Sequence, residues 1–338
     1  MKNRIFTAVF LVITVGLWPV YLLTYDMWDH TNYENRTLTT VQSVKDASFT
    51  EKSGRIDSFI NDNAPFKNEL TSLNAGINLK LFGTVQSGEV LLGKDGWLFL
   101  KNNHDSNSTD DYQGTNHYSQ QEMQSLADRL LQLKNILDDR GVRLKIIVAP
   151  NKEQVYSQYM PQDIPKLDVS KITVLKNYIS QDIAFDYRPE YLAGFEDVTY
   201  YKYDTHWNNF GALRMIQGTF DGYENAEYSA ADGTPLMDLA NVSGIYNFVE
   251  PDVYYDVTTN ASHTGENLYL LHDSFGDMML PILRDRYSVT DSTFAYFADF
   301  DIPQETDLFV IEICERYFYR MFDTIDRIIE NAEKLPVK

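Results

Sequence analysis

Leu268-Tyr269-Leu270-Leu271-His272-Asp273-Ser274-Phe275-Gly276 reads as an apolar strand that breaks into a tight polar turn. Four apolar residues suit a buried strand, and Gly276 lets the backbone bend sharply before a helix predicted over Gly276 to Arg286. The same grammar recurs on both sides. Arg143 to Val148 is a short buried strand that stops at Pro150, and Leu308 to Ile313 is another. Val198 to Tyr203 has β-like composition. Between these runs lie helical patterns: Ser119 to Arg140, with Ser119 and Glu122 as a capping-box pair and Gly141 as the stop; Asp168 to Ser180; a helix after Val198 to Tyr203 that Asn208 or Asn209 caps; and Tyr317 to Lys334. Strands interleaved with helices predict an α/β sheet layered by helices. The polar stretch Asn102 to Asp111 reads as a loop.

The N-terminal end has a different character. Lys2 and Arg4 precede an uncharged stretch from Ile5 to Tyr25, and Asp26 and Asp29 follow it. At roughly 1.5 Å per residue this run spans a hydrocarbon core of about 30 Å. Positive charge before it and negative charge after it put the N-terminus in the cytoplasm and the remainder outside. A cleaved signal peptide is the rival reading, but bulky Trp18, Pro19, Tyr21 and Tyr25 offer no small-residue cleavage site. The expected organisation is therefore a cytoplasmic tip at 1–4, a transmembrane anchor at 5–25, a juxtamembrane helical segment at 26–90 and a catalytic domain at 91–338. Within 26–90, Ile56, Phe59 and Ile60, then Leu70, Leu73, Ile77 and Leu81, recur at helical spacing, and Pro65 splits them into two helices.

Composition narrows the function. The 338 residues carry a net charge of −20, which argues against a nucleic-acid partner, since phosphate contacts need a basic patch. Cys314 is the only cysteine, so no intrachain disulfide forms, and its apolar surroundings read as core rather than nucleophile. The 23 Tyr and 19 Phe supply rings that could stack on sugars, although most belong to the core. Trp97, in Asp95-Gly96-Trp97-Leu98-Phe99, is expected to be core.

Two spots could carry chemistry. Ser274, at a strand-to-helix turn, would present its hydroxyl beyond the carboxyl end of the sheet with helix N–H groups behind it for an oxyanion. Taken alone, Asp273-Ser274 is better explained as a helix cap than as a nucleophile turn. The second spot, Tyr203-Asp204-Thr205-His206-Trp207-Asn208, alters that balance. A serine needs a base, a histidine can serve near neutral pH, and a carboxylate fixes its tautomer. Asp204 and His206, two apart, would share one side of an extended segment. Asp204, His206, His272, Asp273 and Asp277 could also be imagined around a metal, but no ligand-spacing signature is present and no metal is expected.

These motifs, in order, resemble the SGNH-like O-acetyltransferases related to the alginate acetylation proteins AlgJ and AlgX and to the DHHW proteins of bacteria. The pieces are Glu34-Asn35-Arg36; Phe59-Ile60-Asn61-Asp62 with Ala64-Pro65-Phe66-Lys67; Gly93-Lys94-Asp95-Gly96-Trp97-Leu98-Phe99; Pro150-Asn151-Lys152 with Val155-Tyr156; Asp204-Thr205-His206-Trp207; Asp273-Ser274-Phe275; and Glu312 with Glu315-Arg316-Tyr317. The resemblance implies a three-layer α/β/α domain with a parallel central sheet, an acylated Ser274, His206 as base and Asp204 as its orienter, with no cofactor. It also implies a membrane-bound O-acyltransferase as acetyl donor and an exported polysaccharide as acceptor. Asp-Thr-His-Trp stands where one branch has Asp-His-His-Trp, and His272 and Asp273 stand where the alginate proteins often have Gly and Thr. His272 could tune the pocket or hydrogen-bond within its strand. Asn151, Lys152, Arg316 and Trp207 are softer candidates for substrate or oxyanion contacts, each with a structural alternative: polar loop, ion pair or packing. An esterase using the same three residues, or a non-catalytic assembly protein, are the other readings.

Overall fold

The run Leu308–Cys314 is buried at all seven positions and forms the middle strand of the main sheet. The computed structural model describes residues 2–34, 36–103, 106–293 and 300–337, with no side-chain description at 2–4, 8, 9, 11, 13 and 14. It divides into two compact units, Met1–Ser87 with Ala240–Glu250, and Gly88–Leu239 with Pro251–Lys338.

In the larger unit the described strands are β1 (Val90–Leu92), β2 (Leu98–Leu100), β3 (Arg143–Ala149), β4 (Ala184–Asp186), β5 (Glu227–Ala231), β6 (Tyr254–Thr258), β7 (Asn267–His272), β8 (Ser288–Thr293) and β9 (Leu308–Cys314). Five of them form an all-parallel sheet in the order β4-β3-β9-β7-β8, while β1-β2 and β5-β6 are antiparallel pairs. Side chains on a strand point alternately to opposite faces. Thus Phe309, Ile311 and Ile313 of β9 join one apolar layer with Leu144, Ile146 and Val148 of β3, and Leu308, Val310 and Cys314 join the other with Ile147 and Ala149. Helices Gln120–Asp138 and Arg320–Glu333 cover the first face through Leu130, Leu133, Ile325 and Ile328. Helix Asn209–Thr219 covers the second through Leu213 and Ile216. This is the expected α/β architecture with a parallel central sheet. Cys314 and Trp97 are core, Trp97 stacking on Tyr159 at 4.7 Å between ring centroids.

Local signals held where the chemistry was explicit. Ser119 Oγ accepts from Glu122 N–H and Glu122 returns the bond to Ser119 N–H, starting the helix at Gln120, and Gly141 adopts φ 67° after its end. Asn208 caps the helix Asn209–Thr219 by accepting from Gly211 N–H at 2.9 Å. Four expectations need correction. Val198 to Tyr203 is no strand: only Tyr200 bridges to Trp207, because the chain turns back at once. The helix expected from Asp168 to Ser180 is confined to Lys171–Lys176. The helix expected over Gly276 to Arg286 is a 3-10 turn, Gly276–Met278, then the short helix Leu280–Arg284 that Pro281 opens. The loop expected from Asn102 to Asp111 becomes helical at Ser108–Gln113, with residues 104 and 105 outside the described ones.

In the smaller unit Pro65 separates helices Lys52–Asp62 and Lys67–Ile77, and Phe66 takes the left-handed conformation at φ 56°. Buried Asp62 accepts from Arg36 and from Thr39 N–H, and Lys67 pairs with Glu34. Asn35 lies outside the described residues. Lys2–Leu23 is one 22-residue helix. Among the described residues no helix is long and apolar enough to cross a membrane, and the anchor expected at 5–25 falls partly on side chains outside them.

One close approach is testable. A Cβ on Gly211 would lie 2.0 Å from Thr199 O, the same carbonyl that accepts from Asn208 N–H. Gly211→Ala should therefore force the helix away from the 199–208 loop at a cost of about 1–3 kcal/mol. Thermal unfolding of the variant should show a lower midpoint; an unchanged midpoint would contradict this packing.

Candidate active site

At the sheet's carboxyl edge the chain doubles back tightly over 201–206. Tyr201 N–H donates to His206 O and Asn208 N–H donates to Thr199 O, so six residues close on themselves. Asp204 and His206 meet through this turn, not through extended-strand alternation as the spacing suggested. Asp204 Oδ1 accepts from His206 N–H at 2.9 Å and faces His206 Nδ1 at 2.6 Å. His206 Nε2 is 2.8 Å from Ser274 Oγ. Asp204 is fully buried and His206 nearly so, whereas Ser274 is exposed. The carboxylate favours the tautomer with the proton on Nδ1, which leaves Nε2 to accept from the serine hydroxyl.

Charges in this corner respond to burial. Burial alone would raise the Asp204 carboxyl, but hydrogen bonds from His206, its charge and the Asp238 N–H outweigh that and hold it below the usual carboxylate range. Asp238 N–H donates to Asp204 Oδ2 at 2.6 Å, so both carboxylate oxygens are occupied. One ligand atom each from Asp204, His206 and Asp238 lies within 4.8 Å of the others. With three N–H donors already on Asp204, the trio is arranged as a carboxylate–imidazole pair with a second carboxylate alongside.

Ser274 sits on the turn after β7. Asp273 Oδ1 accepts from Phe275 N–H at 2.9 Å, Oδ2 accepts from Cys314 N–H at 2.7 Å, and Asp273 O accepts from Gly276 N–H at 3.0 Å. A Cβ on Gly276 would come 2.5 Å from the His272 side chain, so the turn needs glycine there. The expected set of helix N–H groups behind the serine is thus largely spent on Asp273. Among the described residues Ser274 N–H makes no hydrogen bond, which leaves a backbone donor beside the Ser274 hydroxyl. His272 is buried, with Nδ1 2.6 Å from Asp273 O, which favours its hydrogen-bonding reading.

Residues 90–234 match a family model described as an SGNH hydrolase-like domain, acetyltransferase AlgX. Over that stretch the chain is similar to the domain its motifs resemble. Three solved structures are similar to this chain. They are the O-acetyltransferase domain of Pseudomonas putida AlgJ (16% identity, 71% of this chain and 99% of that one, TM-score 0.47), a DHHW family protein from Eubacterium siraeum (14%, 74% and 100%, 0.46) and Bacillus cereus PatB1 (12%, 70% and 96%, 0.48). No curated protein matches this chain significantly in sequence.

The AlgX-type stretch contains Asn151, Lys152, Asp204, His206 and Trp207, and it ends before Ser274 and Arg316. None of the four softer candidates lines the groove at Ser274. Lys152 is buried, and its Nζ donates to Tyr201 O at 3.1 Å, Lys202 O at 3.2 Å and Asp204 O at 2.5 Å. An ammonium has three protons, so all are used in holding the loop and none is left for an oxyanion. Burial lowers its pKa to about 8, which leaves it mostly charged at neutral pH. Trp207 is fully buried: it donates Nε1–H to Phe275 O at 2.9 Å and packs edge-on against the Phe275 ring. It cannot stack on a sugar and instead ties the histidine loop to the serine turn. Asn151 N–H donates to Glu315 Oε2 and Asn151 Oδ1 accepts from Arg316 N–H, which staples the ends of β3 and β9 together. Arg316 lies over the Phe275 ring at 5.1 Å and donates to Thr205 Oγ1 at 3.3 Å, touching both loops from behind.

Sequence reasoning missed Asp238 and Asp252, whose Oδ2 accepts from Lys202 N–H at 2.6 Å. Each lies more than 30 residues from the loop it supports, and no spacing rule flags an isolated aspartate. The groove itself, of about 520 Å³, is lined by Ser274, His206, Tyr254, Asp256, Asp277 and Asp285 among others.

Two outcomes follow from the buried charges. Lys152→Met removes three hydrogen bonds from enclosed carbonyls, each worth about 1–3 kcal/mol when left unmade. Denaturant unfolding should show a large loss of stability, and a near-neutral result would contradict the clamp. Burial also raises Glu315 to about 8 and Glu312 well above the ordinary carboxyl range. A raised carboxyl keeps its proton in the folded state after the unfolded chain has released its own, so its contribution is full below about pH 4 and is lost as pH rises toward 8. Unfolding free energy of Glu315→Gln should fall less between about pH 4.5 and 8 than that of the natural protein; parallel slopes would contradict the assignment.

Proposed function

We propose that the protein is a serine-dependent O-acetyltransferase that moves an acetyl group through an acyl-Ser274 intermediate onto hydroxyls of an exported polysaccharide. The single observation that carries this reading is the chain Asp204 Oδ1–His206 Nδ1 at 2.6 Å and His206 Nε2–Ser274 Oγ at 2.8 Å, ending on an exposed hydroxyl in a groove. His206 Nε2 takes the Ser274 proton as Oγ bonds to the acetyl carbonyl carbon. The imidazolium, steadied by Asp204, returns that proton to the departing donor oxygen as the donor ester bond breaks. In the second half the acceptor hydroxyl gives its proton to His206, attacks the acyl-enzyme and releases Ser274, which recovers the proton. Ser274 N–H supplies an oxyanion donor. No cofactor takes part.

The uncharged run Ile5–Tyr25, between Lys2 and Arg4 on one side and Asp26 and Asp29 on the other, is what supports a single N-terminal anchor, with 26–90 next to the bilayer and the catalytic domain at 91–338 outside the cytoplasm. Outside the cytoplasm acetyl-CoA is not at hand, so a membrane-bound O-acyltransferase would deliver the acetyl group, and tethering beside it would raise the effective concentration of the two partners.

The test uses an activated acetyl ester with and without a glycan acceptor. Ester turnover should fall by roughly 10³-fold or more in Ser274→Ala and in His206→Ala. Added glycan should divert acetyl from water to sugar. Turnover that yields acetate alone at every glycan concentration would favour an esterase. Polysaccharide acetylation that persists in cells holding normal amounts of Ser274→Ala would leave only an assembly role.

A further inference from the structure

The chemistry of the groove beside Ser274 selects among acceptors. Twelve residues line it, and none is lysine or arginine. Three are aspartates: Asp256, Asp277 and Asp285. The Asp277 side chain is 68% exposed, Asp256 is exposed on β6, and Asp285 accepts a hydrogen bond from Thr259 Oγ1 at 2.8 Å through one oxygen. Among the described residues none of the three forms an ion pair with lysine or arginine. The basic groups nearest in sequence are engaged elsewhere: Arg284 with Asp291 at 3.1 Å and Arg286 with Ser262 O at 3.1 Å. His206, the histidine that lines the groove, is held by Asp204 and Ser274. Asp277 Oδ1 lies 3.9 Å from the buried His272 Nδ1, whose nearer contact is Asp273 O at 2.6 Å. A groove walled partly by protein concentrates the field of carboxylates that no lysine or arginine matches, and the net charge of −20 adds to it. Apart from Asn209, whose Nδ2 donates to Tyr255 O at 2.8 Å, the remaining lining is mostly apolar, with Leu236, Val257, Met278 and Ile282, plus Tyr254 as the ring available to a sugar face.

We propose that this groove takes a glycan acceptor bearing protonated amines and excludes a polyuronate. The proposal rests on Ser274 as the nucleophile, since it is that hydroxyl the acceptor must reach. A uronate chain would bring one carboxylate per sugar toward three fixed carboxylates with no cation to offset them. An amino sugar would place ammonium groups where Asp256, Asp277 and Asp285 can accept from them, while its rings cover the apolar wall. A neutral glycan falls between the two.

The experiment measures binding calorimetrically on full-length Ser274→Ala protein at low ionic strength. Three oligosaccharides of equal length serve as probes: a partly de-N-acetylated chito-oligosaccharide, its fully N-acetylated form, and an oligouronate. The amine-bearing probe should bind at least about 10-fold more tightly than the uronate, with the gap shrinking in about 0.5 M salt. The same gap should shrink in Asp256→Asn/Asp277→Asn, whose circular dichroism reports that it is folded. Equal or tighter uronate binding, a preference indifferent to the double substitution, or no measurable binding of any probe at millimolar concentration would overturn the proposal. Acylation of natural Ser274 by an activated acetyl ester is read separately by mass. Its absence would strike the catalytic reading, whereas acylation with the wrong binding order strikes only the acceptor assignment.

Discussion

The hydrogen bond between a fully buried Asp204 carboxylate and the His206 ring is the constraint on which the rest of the site depends. A carboxylate removed from water is costly unless its oxygens are satisfied, and three N–H donors from His206 and Asp238 do this. The same bonds orient the imidazole so that its far nitrogen faces Ser274. Stability and chemistry thus draw on one arrangement.

Holding that arrangement requires support from residues that never reach the groove. Lys152, from the end of β3, fills the 201–206 loop with its three protons. Trp207 and Arg316 clasp Phe275 from two sides, one by a hydrogen bond and ring contact and the other by a guanidinium over the ring. Asp273 and Glu312 brace the serine turn against β9, Asp273 through Cys314 N–H and Glu312 by accepting from Asp273 N–H. The parallel sheet matters because it brings the carboxyl ends of β3, β7 and β9 to one edge, where residues far apart in the chain can interlock.

Much of this was legible beforehand, for physical reasons that differ by element. Buried strands such as Leu308–Cys314 announce themselves by unbroken apolarity, and the Ser119–Glu122 cap by its chemistry. The three residues of the proposed relay were singled out because acid, base and alcohol are scarce in combination at what the sequence reads as strand ends, although Asp204 and His206 stand on a turn instead. Their supports were left between two kinds of work: Lys152 and Trp207 read either as substrate or oxyanion contacts or as loop and packing residues, because a sequence shows polarity and aromaticity but not burial. The 198–206 segment read as extended because a tight turn closed by backbone bonds leaves no periodic signature. Asp238 and the acidic groove wall, assembled from β6 and the segment after Ser274, depend on tertiary proximity alone.

Mass spectrometry of the intact protein after brief exposure to an activated acetyl ester at neutral pH tests the central claim most directly. The account predicts a single adduct of about 42 Da on Ser274 that is lost in His206→Ala. An adduct on another residue, or full labelling of Ser274 without His206, would contradict it.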